Sequence, residues 1–474
     1  MKKLFLFFLI LLALSKILVL SSGCANIIPP SGGAQDTIPP VLLKVSPDDS
    51  TRNFTGKTIV FTFDEFIDAQ NVYENLLVSP LLKTTPAVDG KLKTVTVKIK
   101  DSLEANTTYT FDFGIGIKDF TEGNPVRNFR YTFSTGSYID SLELQGKVIL
   151  AETGKIDTTL IVMLHTNPAD SAVTKEKPRY IAKLDSRGDF HFKNLPPKTF
   201  YIYALKNASG TYSYNDRDLF AFADKPVTVQ STTESVTLYA YTPRPTTSGP
   251  ASALSLNLNP GRGGKPGATV DKRLKYQTSL VNEQQDLLTS FNMTFEQPLR
   301  LFDSSKIKLY TDSAYSPVSS YQFIKDSNNK KLSLKIEWKE NTLYHIIMDK
   351  DFADDSSGKK LLKTDTLSFK TKKLSEYGSL KIKFKDLKLD KNPVLLIMQG
   401  ENIYQSFPLS GPDFFQRLFL PGEFELRILS DTNKNGKWDP GEFFGKHKQP
   451  EIVKPVERKI TVKAAWQNEF DIAL

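Results

Sequence analysis

The chain has 474 residues, which is too long for one hydrophobic core and predicts roughly three to five domains. Aromatic residues make up 11% of the chain, and its Phe, Tyr, Thr and Val content favours strands over helices. The net charge of +9 includes lysines near the amino terminus, and the other basic residues are interspersed with acidic ones, so we expect no nucleic-acid partner.

Residues 1–23 have the layout of a secretory signal peptide. A basic start is followed by an apolar run from Leu4 to Leu14 and by small residues before Cys24. Cys24 is the only cysteine, and the segment around it resembles a bacterial lipobox. We therefore predict that Cys24 is lipidated, with palmitate among its acyl chains. The alternative is an uncleaved anchor, although the run is shorter than the roughly 20 residues of a membrane span and Lys16 interrupts it.

The first predicted domain follows a short tether. Residues 24–39 contain Pro, Gly and Ser without an apolar period, as linkers do. Strand patterns with alternating apolar residues then follow at 57–63 and 94–99. Leu103 to Tyr109 has the spacing of a tyrosine corner, in which the tyrosine hydroxyl bonds back to the backbone. We predict one Ig-like sandwich over residues 40–136.

Residues 139–242 predict a different, small sandwich. A strand, a turn at Leu195-Pro196-Pro197 and an aromatic strand at 200–205 follow one another. This order resembles the transthyretin-like module that accompanies carboxypeptidases and many bacterial surface proteins. Residues 243–272 are rich in Pro, Gly, Ser and Asn, and we interpret them as a linker that divides the chain in two.

The second half of the chain repeats the first. Residues 273–373 contain a second corner, from Trp338 to Tyr344, and predict a second Ig-like domain. Residues 421–450 align with 197–226 at one constant offset, which places Pro197 opposite Pro421, and residues 378–474 therefore predict a second transthyretin-like sandwich. The predicted fold class is therefore all-β: a multidomain array of β-sandwiches in which the two-domain unit is present twice.

The last domain holds the one motif with metal chemistry, a loop that fits the twelve-residue calcium pattern. Oxygen-bearing side chains fall at loop positions 1, 3, 5, 9 and 12, and a glycine at position 6 permits the sharp turn. Ca²⁺ takes six to eight oxygens, which alternate residues of a tight loop can direct inward. The predicted ligands are Asp431, Asn433, Asn435, Lys437 (through its carbonyl), Asp439 and Glu442. Calcium is the one cofactor that the sequence indicates.

The alternative for this loop is an Asx-rich turn that its own hydrogen bonds close without a metal. The aligned loop of the second domain, 207–218, acts as an internal control. At the matching positions it has one carboxylate, Asp218, and Tyr212 replaces the glycine, so calcium is not expected there. The 207–218 loop has the same length but lacks the calcium ligands, so such a loop does not need a metal. Both interpretations of the Asp431 loop therefore stay open.

The sequence lacks the arrangements typical of enzymes, and we predict that the chain is not an enzyme. No nucleophile elbow, phosphate-binding glycine loop or CxxC motif occurs. Asp64 and Glu65 follow a strand, where adjacent residues point to opposite faces, so they should not act as a catalytic acid pair. We expect a structural role for them. The alternative is that they form a loop-borne binding surface together with the polar turn at 119–125. Four histidines are expected at surface or edge positions: His165, His191, His345 and His447.

Several short motifs carry a family resemblance. They are Cys24-Ala25-Asn26, Pro30-Ser31-Gly32-Gly33, Phe63-Asp64-Glu65-Phe66, Ser79-Pro80, Asn106-Thr107-Thr108-Tyr109, Glu122-Gly123-Asn124-Pro125 and Phe133-Ser134-Thr135-Gly136. Together they resemble a family of Bacteroidetes envelope lipoproteins that begins with a bacterial Ig-like domain of the surface-layer type. The resemblance is closest over 24–136 and implies a lipid-anchored outer-membrane protein with no assigned catalysis. It leaves open whether the protein faces the periplasm or the cell surface.

Two functional hypotheses follow. The first is a non-catalytic envelope lipoprotein with a structural or protein-interaction role, bound to the membrane through its lipid and to other envelope proteins through its sandwiches. The second is a glycan-binding surface lipoprotein that assists carbohydrate uptake. That second role needs an exposed aromatic platform, for which Tyr212, Tyr214 and Trp438 are the candidates, although they also suit packing beneath their loops.

Overall fold

The computed structural model describes residues 35–207, 210–243 and 273–474. The predicted signal peptide, Cys24, most of the tether and nearly all of the linker lie outside these residues. Strands dominate the described part, and its helices are single turns. None of those helices is long and apolar enough to cross a bilayer. We use the predicted ranges as names: domain 1 (40–136), domain 2 (139–242), domain 3 (273–373) and domain 4 (378–474).

Domain 1 is a sandwich of two antiparallel sheets. Its elements are β1 (Leu42–Ser46), β2 (Thr58–Phe63), β3 (Ile67–Asp68), α1 (Val72–Asn75), β4 (Leu77–Ser79), β5 (Ala87–Lys91), β6 (Thr94–Lys98), β7 (Thr108–Gly114), β8 (Lys118–Asp119) and β9 (Phe129–Ser134). One sheet has the order β1-β2-β6-β5, the other β4-β7-β9, and β3 pairs with β8 at one end. Alternate residues of β2 and β6 are buried, as the period-2 pattern predicts.

Domain 2 is a smaller sandwich. Its elements are β10 (Leu142–Leu150), β11 (Leu160–His165), α2 (Ala172–Lys175), β12 (Tyr180–Lys183), β13 (Asp189–Leu195), β14 (Thr199–Lys206), β15 (Phe220–Phe222), β16 (Val227–Thr228) and β17 (Val236–Ala240). The sheets have the orders β13-β10-β17 and β12-β11-β14-β15, and β16 also pairs with β14. The second sheet is apolar on both faces, so one face packs in the core of domain 2 and the other needs a separate cover.

Domain 3 has the topology of domain 1. Its elements are β18 (Tyr276–Thr278), β19 (Gln284–Gln285), β20 (Phe291–Phe295), β21 (Leu299–Phe302), a 3₁₀ turn (Ser304–Lys306), β22 (Ile307–Thr311), β23 (Ser316–Pro317), β24 (Gln322–Lys325), β25 (Lys331–Lys335), β26 (Leu343–Met348), β27 (Ala353–Asp355), β28 (Asp365–Thr371) and a second 3₁₀ turn (Leu374–Glu376). The order β18-β20-β25-β24 repeats β1-β2-β6-β5, and the ribbon β21-β27 repeats β3-β8. Strands β19 and β23 widen its other sheet.

Domain 4 repeats domain 2 strand for strand. Its elements are β29 (Gly378–Lys385), a 3₁₀ turn (Leu389–Lys391), β30 (Pro393–Gln399), β31 (Asn402–Pro408), β32 (Asp413–Phe419), β33 (Gly422–Ser430), β34 (Ile452–Pro455), β35 (Ile460–Val462) and β36 (Gln467–Ala473). The orders β32-β29-β36 and β31-β30-β33-β34 match those of domain 2, and β35 pairs with β33 as β16 pairs with β14. The predicted fold class, with its unit present twice, is confirmed.

Both predicted tyrosine corners form. The Glu104 backbone N–H donates to the Tyr109 hydroxyl at 3.0 Å, and the Lys339 N–H donates to the Tyr344 hydroxyl at 3.3 Å. The corner therefore ties the loop before β7, and that before β26, to the start of the strand that follows.

Domain 4 covers the outer apolar face of domain 2. The ring of Phe443, from the segment between β33 and β34, lies 5.1 Å from Phe222 and 5.3 Å from Phe220. In the same interface, Val453 donates its backbone N–H to the Ala151 carbonyl at 2.8 Å. The two halves of the chain are thus packed together through their transthyretin-like domains.

Candidate functional sites: the Asp431 loop and the tip of domain 1

The Asp431 loop connects β33 to β34 and contains all the predicted calcium ligands. The buried Asp431 carboxylate accepts the backbone N–H groups of Gly436 at 2.7 Å and Asn435 at 3.3 Å. The Asp439 carboxylate accepts the side-chain amides of Asn433 and Asn435, the latter at 2.7 Å. These four residues are therefore drawn into one hydrogen-bonded group.

The other two predicted ligands are placed differently. The Glu442 carboxylate pairs with the Lys446 ammonium at 2.8 Å. The Lys437 N–H donates to the Asn435 side-chain oxygen at 2.7 Å. In the described part of the chain, no three His, Cys, Asp or Glu residues are grouped as metal ligands. The six-ligand set is not assembled around one point in this conformation, and the calcium site stays a prediction.

Sequence reasoning missed Glu451, which closes this loop. One Glu451 carboxylate oxygen accepts the backbone N–H and the hydroxyl of Thr432, both at 2.7 Å, and the other accepts the Asp439 N–H at 3.1 Å. The Trp438 indole N–H donates to the Glu451 carbonyl at 2.7 Å. A buried carboxylate with several hydrogen bonds is a strong local constraint. Glu451 lies outside the twelve-residue calcium pattern, so that pattern could not identify it. The only sequence signal was the Pro450-Glu451 pair, which also fits the family resemblance.

The matching loop of domain 2 is closed in a similar way. The Asn207 side-chain oxygen accepts the Tyr212 N–H at 2.8 Å, and the Asn215 amide donates to Asp218 at 2.9 Å. The side chains of Tyr212, Tyr214 and Trp438 are partly buried against the apolar cluster between domains 2 and 4. These three rings therefore do not form the exposed platform that the glycan hypothesis requires.

The expectation for the histidines is wrong at two positions. His165 is 2% exposed and His345 is 6% exposed, because both lie on strands whose neighbours cover them. The His345 ring bonds to the Ser368 hydroxyl at 2.7 Å. His191 and His447 remain partly exposed and lie 2.7 Å from Glu143 and 2.8 Å from Asp170.

A second candidate site lies at one end of domain 1, where three turns meet. The Phe120 N–H donates to the Phe66 carbonyl at 3.0 Å, and the Ile67 N–H donates to the Leu92 carbonyl at 2.8 Å. The turns border a groove of about 640 Å³. We call this region the domain 1 tip and define it by Phe66, Tyr73, Leu92 and Phe120 together with Asp64, Glu65 and Glu122.

A buried aspartate holds the tip together. Burial alone raises the pKa of Asp119, but the backbone N–H groups of Glu122, Gly123 and Asn124 all donate to its carboxylate, so its pKa is below the ordinary value. The polar turn at 119–124 is thereby fixed beside Asp64 and Glu65, which occupy a bend after β2. The structure thus brings together the two segments for which a binding surface was the alternative to a structural role.

The tip carries concentrated negative charge. Partial burial raises the pKa of Glu65, and the nearby carboxylates of Asp119, Asp64, Asp36 and Glu122 raise it further. The Lys93 ammonium lies 5.7 Å from the Phe66 ring centre and donates to the Asp64 carbonyl. An aromatic face of the tip therefore already accepts one cation.

Comparison with known proteins supports a family assignment for domain 1. A model described as a bacterial Ig-like domain matches residues 36–135. Similar solved structures include the Bacillus anthracis TIE protein, with 10% identity, 94% of this chain and 76% of that chain covered, and a TM-score of 0.17. The Bacillus cereus major pilin subunit BcpA has 8% identity, coverages of 70% and 98%, and a TM-score of 0.16.

The N-terminal part of the bacterial S-layer protein SbsC has 17% identity, coverages of 43% and 44%, and a TM-score of 0.16. Scores this low carry no argument about function. No curated protein matches the chain. The family assignment thus depends on the one matched segment: residues 36–135 are a bacterial Ig-like domain.

Proposed function

We propose that the chain is a non-catalytic lipoprotein of the outer membrane, anchored through Cys24, with a structural or protein-interaction role in the cell envelope. The observation that carries this proposal is the bacterial Ig-like domain at 36–135, set in an array of β-sandwiches. Ig-like sandwiches present loops at their ends on a rigid scaffold, which suits binding rather than chemistry.

The packing between domains supports a role that needs a defined shape. Arg179 of domain 2 pairs with Glu104 of domain 1 through both guanidinium nitrogens, and the Leu81 N–H donates to the Arg179 carbonyl at 2.8 Å. A bidentate pair restricts orientation more than a single contact does. With the contacts between domains 2 and 4, these interfaces hold several domains as one connected body.

The anchor is tested by metabolic labelling with radioactive palmitate. We expect the full-length chain to be labelled and recovered with the outer membrane, and Cys24→Ala to lose both properties. Ser22→Ala is the matched control, since it leaves the thiol in place. An unlabelled chain with the wild-type Cys24 contradicts the proposal, and proteolysis of intact cells distinguishes a surface-facing from a periplasm-facing position.

A further inference from the structure

The domain 1 tip is unusual because large apolar side chains occupy its turns. Phe66, Tyr73, Leu92 and Phe120 are between 51% and 69% exposed and border one groove. Scattered apolar residues on a surface are ordinary, but several around one concave site are typical of binding surfaces. Tyr73 is also held in place, since its hydroxyl accepts the Val88 N–H at 2.8 Å.

Domain 3 contains the same turns without large apolar residues. The hydrogen bond from Phe120 N–H to the Phe66 carbonyl has its counterpart in Ser356 N–H to the Pro298 carbonyl, at 2.8 Å. Likewise the bond to the Leu92 carbonyl corresponds to that from Leu299 N–H to the Asn329 carbonyl, at 2.7 Å. Phe66, Leu92 and Phe120 therefore correspond to Pro298, Asn329 and Ser356. Domain 3 forms these turns with Pro, Asn and Ser, so the turns do not require Phe or Leu at these positions.

The backbone conformation at position 92 is unfavourable for a leucine. Its φ is +55°, in the left-handed region, and Asn329 occupies the matching position with φ +54°. Asparagine tolerates that region, whereas leucine brings its Cβ close to the following carbonyl. An exposed leucine at such a position gains neither burial nor backbone stability. Its presence points to a contact with another molecule.

The charges at the tip indicate the chemistry of that molecule. Asp68 and Asp89 line the groove together with Lys91, and Lys118 pairs with Asp68 at 3.5 Å. Asp64, Glu65 and Glu122 lie in the adjoining turns, so these five carboxylates outnumber the ammonium groups of Lys91, Lys93 and Lys118. The Phe66 ring accepts an ammonium group within the domain. A partner with cationic groups next to apolar side chains complements both properties.

We propose that the domain 1 tip is a docking surface for a protein segment that combines Lys or Arg with apolar side chains. This inference rests on the proposed interaction role and specifies its site and its partner chemistry. Negative charge around the groove disfavours contact with an anionic membrane surface. The exposed rings of Phe66 and Phe120 are also of the kind that the glycan hypothesis requires, so oligosaccharide binding at the tip is one outcome that the test distinguishes.

The test uses the full-length chain and two fluorescent ten-residue peptides, one alternating Lys with Leu and Phe, the other with Glu in place of Lys. The key variant is Leu92→Asn with Phe120→Ser, which installs the residues of domain 3. We expect the Lys peptide to bind, and the double variant to bind it about tenfold more weakly or worse. Phe415→Ser in domain 4 removes an equally exposed phenylalanine (60%) and should leave binding unchanged.

Two further readouts separate binding from stability and identify the charge contribution. The double variant should melt at the same or a higher temperature, because the strained leucine is replaced. Glu65→Gln with Glu122→Gln, or added salt, should weaken binding of the Lys peptide several-fold. A lower melting temperature of the double variant, equal binding of the Glu peptide, or equal losses in Phe415→Ser overturns the proposal.

The remaining outcomes concern other occupants. Absence of peptide binding, or tip-dependent binding to phosphatidylglycerol vesicles or oligosaccharides instead, also overturns it. A palmitate-labelled chain that does not bind the peptide refutes the docking surface alone. An unlabelled chain that binds it refutes the anchor alone.

Discussion

Single hydrogen bonds define the corners of both Ig-like domains. Tyr109→Phe leaves the Glu104 N–H without its acceptor, and we expect domain 1 to lose about 1–3 kcal/mol of stability. Tyr344→Phe should cost less, because the Lys339 contact is longer at 3.3 Å. Hydrogen exchange resolved by mass spectrometry reports the two domains separately in the full chain. Equal protection of domain 1 in wild type and Tyr109→Phe contradicts the expectation.

His165 should make domain 2 sensitive to mild acid. Burial lowers its pKa below the ordinary 6.5, against a smaller opposing effect of Glu176, and its ring packs edge-on against Tyr203. A depressed histidine pKa means that the unfolded chain binds more protons below pH 6.5 than the folded chain does. The free energy of unfolding is therefore unaffected above that pH and falls as the pH drops from 6.5 toward the folded pKa.

The measurement is the melting temperature of domain 2 between pH 7.5 and 5.5. We expect His165→Phe to flatten the decrease over this range, since it removes the titrating group and keeps a ring against Tyr203. His191→Gln is the control, because its ring is partly exposed beside Glu143. An unchanged slope in His165→Phe excludes His165 as the source of the pH dependence.

Two glutamates of the Asp431 loop have different roles. Glu451→Gln disturbs a buried carboxylate that accepts hydrogen bonds from Thr432 and Asp439, and we expect a loss of about 1–3 kcal/mol. Glu442→Gln affects only an exposed pair with Lys446 and should change stability by less than about 1 kcal/mol. Thermal unfolding without calcium compares them. Equal losses in the two variants contradict this assignment.

Calcium binding to the same loop can be tested by calorimetry of the full chain. If the predicted ligands act, millimolar calcium should release or absorb heat and raise the melting temperature of domain 4, and Asp431→Ala should abolish both effects. Asp218→Ala in the domain 2 loop is the matched control. Without heat or a melting shift in the wild-type chain, the loop is the metal-free Asx turn.

The elements show which features local sequence can predict. The sequence predicted the alternation in β2 and β6, the two tyrosine corners and the repeated two-domain unit. Each of these features depends on residues that are close together in the chain or related by a constant offset. The two buried histidines were misjudged, since burial depends on neighbouring strands rather than on the residues beside them. The pattern of adjacent residues does not show which strands will pack over a side chain.

The candidate site was harder to predict for the same reason. The sequence indicated Asp64, Glu65 and the turn at 119–125, whose polar residues are contiguous. It missed Phe66, Leu92 and Phe120 as a group, because each is a lone apolar residue in a separate turn and lacks a period. Only the pairing of β3 with β8 and the contact of Ile67 with the 91–93 turn bring them to one groove.

At the scale of the whole molecule, a cluster of aromatic contacts joins the two halves. The Phe443 ring lies against Phe220 and Phe222, and the neighbouring Gln449 side chain donates to the Phe222 carbonyl at 3.0 Å. Phe443 is 5% exposed, so its removal leaves a cavity in a cluster shared by domains 2 and 4. Buried Phe→Ala changes cost about 3–5 kcal/mol, which here weakens an interface as well as a core.

We therefore expect Phe443→Ala to let the halves separate, with a larger radius of gyration by small-angle scattering and earlier melting of domain 2. Phe415→Ala removes a ring of the same size from an exposed position of domain 4, so it should alter neither value. An unchanged radius with a lower melting temperature means that Phe443 stabilises a core but the Val453–Ala151 contact and the ion pairs are enough to keep the halves together. A larger radius with unchanged hydrogen-exchange protection of domains 2 and 4 assigns Phe443 to the interface. In that case the relative position of the two halves depends on one side chain of the loop that follows Asp431.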